Sequence, residues 1–217
     1  MEFSWDKIDY KEDKHISYLL YLENKTVKQI SMIRNIDEEV VKLHLLQTKK
    51  EITQLSIKEN THIGIYEYLS FSKPDRESYL YNMTEDFKEM FIKEIYSPLD
   101  NTKNIDDLMV LIWTIGELKI DKFNKQLKYF SSHPHGNIRR MVFSAMGKIN
   151  SVEFLPYIIQ GMKDKKPQVK QYAIIAFGKT ADISQIGKLK EITNNSIEKD
   201  YIKRAAEQAE QFIREKN

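Results

Sequence analysis

Residues 108–119 read LMVLIWTIGELK, residues 138–149 read IRRMVFSAMGKI, and residues 169–180 read VKQYAIIAFGKT. Gly116, Gly147 and Gly178 recur at a period of 31 residues. A fourth, partial copy, IKRAAEQAEQF, covers 202–212 with the offset grown to 33. The register extends beyond one segment, since Phe123 aligns with Phe154, and Leu127 aligns with Ile158 and Leu189. A fixed period of this length is the signature of a stacked helical-repeat architecture.

Each unit reads as two helices. The first is amphipathic, as Phe154, Leu155, Ile158 and Ile159 show in the second unit. A polar turn follows (SSHPHGN, KDKKPQ or NSIEKDY), and the second helix starts at Ile138, Val169 or Ile202. Ala145, Ala173, Ala176, Ala205, Ala206 and Ala209 supply small residues where helices must approach closely. The glycine is expected to end the helix in the left-handed conformation. Asp182 with Gln185 is expected to form a capping box for the next first helix. A 31-residue helix pair cannot bury its apolar face alone, so the units should stack into a right-handed α-solenoid.

The stretches HGNIRRMVFSAMGKI and KPQVKQYAIIAFGKT resemble the second helix of HEAT repeats, particularly the short variety of phycobilin-lyase-like proteins. The resemblance spans about residues 107–217 and implies an interaction array rather than a given activity. The first unit departs from the pattern, with Asp107 and Leu108 where the later units carry an apolar-basic pair.

The remainder divides into a bundle over 1–52 and a linking, Tyr-rich helical block over 53–106. Helices are expected near 14–23, near 26–34 with Thr26 and Gln29 as a capping box, and from about 38 with Asp37 as N-cap. Ile30 and Ile33 are expected inside. With Asn35 at the turn and Val40-Val41 in the following helix, this segment resembles a helix-turn-helix. It is most similar to the small one at the C-terminus of RecQ-type helicases and related bacterial proteins. That resemblance implies DNA binding, with Lys42 as a contact, against a purely structural three-helix bundle. Asp37, Glu38 and Glu39 open the second helix of the motif, where phosphates would be repelled. In the linking block, helices are expected near 61–71, 76–82 and 84–96, with SKPDRE (72–77) as a turn. Tyr66, Tyr68, Tyr79, Tyr81 and Tyr96 are expected to pack rather than to stack on bases.

Charge is uneven. The chain of 217 residues is +2 overall, yet residues 107–217 carry +7. The repeats align the cations: Arg139, Lys170 and Lys203 share one position, Arg140, Gln171 and Arg204 the next, and His135, Lys166 and Lys199 lie in the preceding turn. Spaced cations can track phosphates or meet an acidic protein segment. The alternative is a ladder tying neighbouring repeats, favoured for Arg139, Lys170 and Lys203, while Arg140 and Arg204 are favoured for ligand contact. Trp113 lies in the second helix of the first repeat. As a concave aromatic beside Arg140 it would resemble the surface that HEAT-like alkylpurine DNA glycosylases use for DNA, and the alternative is that it packs at a domain junction.

The chain has no cysteine, hence no disulfide, thiolate metal site or cysteine nucleophile. His133 and His135 could share a metal ion, but no third ligand is near in sequence; His15, His44 and His62 are isolated. No G-x-S-x-G, P-loop, G-x-G-x-x-G or H-E-x-x-H motif occurs. The expectation is an all-α, non-catalytic binding protein in the cytoplasm with no cofactor, membrane or small-molecule substrate. Nucleic acid held by backbone contacts is its first expected partner, an acidic protein segment the second, and DNA-base repair on a HEAT scaffold the third reading.

Overall fold

The computed structural model describes residue 5, residues 12–59 and residues 63–216, the side chains of 53 and 56–59 excepted. His62 lies outside the described residues. Two compact units divide the chain, Met1–Glu94 and Ile95–Asn217, so the division falls inside the 53–106 segment. Every regular element among the described residues is helical. None of these helices is long and apolar enough to cross a membrane.

The first unit begins with α1 (Asp13–Leu22), α2 (Val27–Arg34) and α3 (Glu38–Glu59). The Thr26 capping box forms: the Gln29 N–H donates to Thr26 Oγ1 and the Thr26 N–H donates to Gln29 Oε1. Asn35 ends α2 in the left-handed region, at φ 52°. Asp37 receives the Glu39 N–H at the start of α3. Leu20, Ile30, Val41 and Leu45 form the core of this bundle. Ile33, expected inside, is 58% exposed, because the short α2 turns only its Ile30 face to α1 and α3.

A polar knot completes the three helices. Arg34 Nη1 donates to the Asp13 carbonyl and to Ser17 Oγ, and Nη2 reaches Asp13 Oδ1 at 3.0 Å. Burial and the neighbouring guanidinium hold the His44 imidazole below its ordinary pKa.

Next come α4 (Ile65–Leu69), α5 (Lys73–Asn82) and α6 (Glu85–Asn101), whose end passes into the second unit. The expected turn at 72–77 is instead the first turn of α5: Ser72 caps the Asp75 N–H, and Pro74 suits a position where no intrahelical donor is needed. Tyr68, Phe71, Tyr79 and Phe91 form an edge-to-face aromatic cluster. Tyr66 and Tyr81, expected to pack, are 74% and 90% exposed, since they fall on the outer faces of their helices.

The second unit is the repeat array. It contains α7 (Ile105–Glu117), α8 (Asn124–Phe130), α9 (Gly136–Ile149), α10 (Leu155–Gly161), α11 (Pro167–Thr180), α12 (Gly187–Thr193) and α13 (Asp200–Lys216). A 3-10 turn leads into each of α8, α10 and α12. The second helices stack in sequence, α7 on α9, α9 on α11 and α11 on α13. Phe123, Phe154, Leu127, Ile158 and Leu189, the residues that carried the register, are all fully buried. The divergent fourth copy folds as the full helix α13. This unit is an α-solenoid.

The glycines act differently from the expectation. All three lie within their helices, and no glycine has a positive φ. They are sites of helix–helix approach. A Cβ on Gly116 would stand 2.8 Å from Ala145 Cα, one on Gly147 3.0 Å from Ala176 Cα, and one on Gly178 2.8 Å from Ala209 Cβ. Left-handed residues, Lys119 and Asn150, end the first two of these segments a few residues further on, whereas α11 ends at Ala181 in extended backbone. Asp182 does cap the 3-10 turn that leads into α12, its carboxylate accepting the Ser184 N–H, but Gln185 does not complete the expected box.

Candidate binding site on the helical repeats

The stack gives the second helices two edges. At their N-terminal edge the aligned cations meet acids of the following turn. The Arg139 guanidinium grips Asp164 through two bonds, Nε to Oδ2 at 2.7 Å and Nη2 to Oδ1 at 2.9 Å. Nη1 donates to the carbonyls of His133 and Pro134. Lys170 repeats the arrangement with Glu198 one unit later. Burial opposes ionisation of Asp164 and of Glu198, but the paired cation and a backbone N–H outweigh it, so both carboxyls sit below the usual range. Arg139 and Lys170 therefore tie neighbouring repeats. Asn124 and Lys128 of α8 make a comparable tie to Glu153 on the first-helix layer.

The other candidate cations stand apart from these pairs. Arg140 lies over the Tyr172 ring, 5.3 Å from its centroid. Arg204 is exposed and Lys203 half-buried on α13. Lys166 is exposed; its backbone N–H donates to Asp164, and its side chain lies along Gly136. Lys42 belongs to the first unit, where Glu39 Oε1 accepts its ammonium proton at 2.6 Å.

Trp113 is half-buried under Lys148, whose Nζ is 5.9 Å from the ring centroid and bonds Glu117. Asp106 and Asp107 remain at the helix start, where Asn104 caps their N–H groups. His133 Nδ1 accepts the His135 N–H at 3.1 Å, so the turn uses that nitrogen internally. Among the described residues no three His, Asp or Glu side chains are placed to hold a metal.

The C-terminal edge carries a feature absent from the expected site. A cleft of about 570 Å³ is lined by Lys119, Gly147, Lys148, Asn150, Lys179, Phe212 and Lys216, among others. Four lysines thus converge on one opening. Lys119 reaches it by its left-handed backbone, at φ 51°. Lys216 donates to the Lys179 carbonyl at 2.7 Å and lies over the Phe212 ring. Burial pushes its ammonium below the ordinary value, against the opposing pull of Asp182. Cations at helix C-termini are favoured by the macrodipole, which offsets part of the cost of gathering this charge. A signal for it was present in the sequence: Lys148 and Lys179 each directly follow a repeat glycine.

This is the architecture of a helical-repeat array, with ion-pair ladders on one edge and a lysine-lined cleft on the other. Residues 111–209 match the family model for HEAT repeats, just under half of the chain and most of the second unit. No curated protein matches the chain.

Proposed function

We propose that this chain is a non-catalytic HEAT-repeat scaffold that binds an acidic segment of a partner protein. The observation that supports it best is the cleft bounded by Lys119, Lys148, Lys179 and Lys216, with Phe212 in its wall. Ammonium groups set around an aromatic suit a peptide in which Asp or Glu alternates with apolar residues. Arg140 and Arg204 add cations towards the N-terminal ends of α9 and α13, away from the cleft. Lys203, Lys166 and Trp113 offer further contacts, whereas Lys170 is neutralised by Glu198.

Nucleic acid bound by its backbone is the second reading, motivated by the +7 charge of residues 107–217. Lys42 would be its contact in the first unit, as the helix-turn-helix resemblance implies. The cytoplasm is the compartment that suits either partner.

Fluorescence anisotropy separates the two readings. The probes are a labelled peptide of alternating Glu and Leu/Phe, a duplex DNA and a single-stranded RNA, each at about 50 and 200 mM salt. Peptide binding that is lost in Lys179→Glu/Lys216→Glu, with weak binding of both nucleic acids, supports the scaffold. Tight DNA or RNA binding that collapses at the higher salt and in Arg140→Glu/Arg204→Glu replaces it with the second reading. Failure of the peptide to bind at the lower salt refutes the acidic-segment assignment.

A further inference from the structure

Helix α3 carries an exposed stripe whose order of residues is self-complementary. Glu39, Leu43, Leu46 and Lys50 recur at i, i+4, i+7 and i+11, a spacing that places all four on one helix face. All four are exposed, with Leu43 at 49% and Leu46 at 68%. Two adjacent leucines so open to water on one helix carry a cost that a single scattered apolar residue does not. The stripe is acidic at its N-terminal end, apolar in the middle and basic at its C-terminal end.

That order decides the occupant. Laid antiparallel against a second copy of itself, Leu43 faces Leu46 of the second copy, and Glu39 faces its Lys50. The two-fold axis repeats both contacts. A parallel arrangement places Glu39 against Glu39 and Lys50 against Lys50, so like charges oppose it. Pairing by a two-fold axis is also the commonest way in which soluble chains associate.

We propose that the α3 helices of two copies of this chain pair antiparallel through Leu43 and Leu46, with Glu39–Lys50 ion pairs at both ends. The contact is small beside a standard interface, so the dimer is weak and concentration-dependent. Within each copy Glu39 already bonds Lys42, and dimerisation exchanges or shares that partner.

The test is sedimentation equilibrium or light-scattering chromatography of the full chain from about 1 to 200 µM, spanning the range of weak association. The expected result is a monomer that becomes a dimer as concentration rises. Leu43→Asp/Leu46→Asp should remain monomeric throughout. Because both side chains are exposed, its circular dichroism should match the parent's, which separates loss of the contact from loss of the fold. Glu39→Lys should weaken the dimer at least about tenfold, with like charges now facing at both ends. Glu39→Lys/Lys50→Glu should restore it. A chain that stays monomeric at 200 µM overturns the proposal. So does a dimer that survives the double aspartate variant, or one that the charge exchange does not rescue.

Discussion

Replacing a repeat glycine by alanine should destabilise this protein, although the same change in an ordinary helix stabilises it. Alanine is favoured over glycine inside a helix by about 1 kcal/mol. At Gly178, however, the new methyl would lie 2.8 Å from Ala209 Cβ and 2.9 Å from Ala209 Cα. The obstacle at Gly116 is equally stiff, with Ala145 Cα at 2.8 Å and Cβ at 2.9 Å. A backbone atom cannot swing away as a long side chain can, so the two helices must separate. Overpacking of this kind costs about 1–3 kcal/mol and further loosens the contacts on either side. The net expectation is a loss of up to about 2 kcal/mol for Gly116→Ala and for Gly178→Ala after the propensity gain is subtracted. Gly147→Ala should be milder, because Ala176 stands at 3.0 and 3.1 Å and the neighbour must yield less. Gly187 provides the control: nothing lies within 4 Å of its missing Cβ, and Gly187→Ala should stabilise by a few tenths to about 1 kcal/mol. Urea unfolding of the four variants measures the order. If Gly116→Ala and Gly178→Ala stabilise as much as Gly187→Ala does, close helix approach is not what these glycines provide.

Three further outcomes follow from particular contacts. Arg139→Ala leaves the Asp164 carboxylate, only 12% exposed, without its bidentate partner, and should cost about 3 kcal/mol in urea unfolding. A loss under about 0.5 kcal/mol would place that pair among ordinary surface ion pairs. The Asp164 carboxyl is held below its ordinary value, so the unfolded chain takes up the proton first on acidification. Its stabilisation is complete above about pH 4 and disappears as pH falls through the depressed value; Asp164→Asn should flatten the stability-versus-pH slope there, and an unchanged slope counts against the assignment. His44 is likewise depressed, so its neutral form is preferred in the folded bundle. That preference is fully present above about pH 6.5 and lost as pH falls, and an NMR titration giving an imidazole pKa above 6.5 would contradict the burial argument.

The period of the glycines and the phase of Phe123, Phe154, Leu127, Ile158 and Leu189 were enough to define a helical repeat array. Hydrophobic periodicity states which face a helix must bury, and a repeated face has to be buried on its own copies. The Thr26–Gln29 capping box and the Asn35 turn were legible for a similar reason, because their hydrogen bonds close within four residues. What the glycines do was settled only by packing. A glycine near a helix end and a glycine at a helix crossing look alike in a linear chain, and only the 2.8–3.0 Å approaches to Ala145, Ala176 and Ala209 separate them. The aligned cations show the same limit. Arg139 and Arg140 are adjacent and chemically alike, yet one is cancelled by Asp164, 25 residues away, and the other lies on Tyr172. The lysine cleft is a tertiary product as well, since Lys119, Lys148, Lys179 and Lys216 share an opening only because the helices that carry them are stacked. Local hydrogen bonding and apolar period are properties of neighbours along the chain. Charge balance and close approach are properties of neighbours in space.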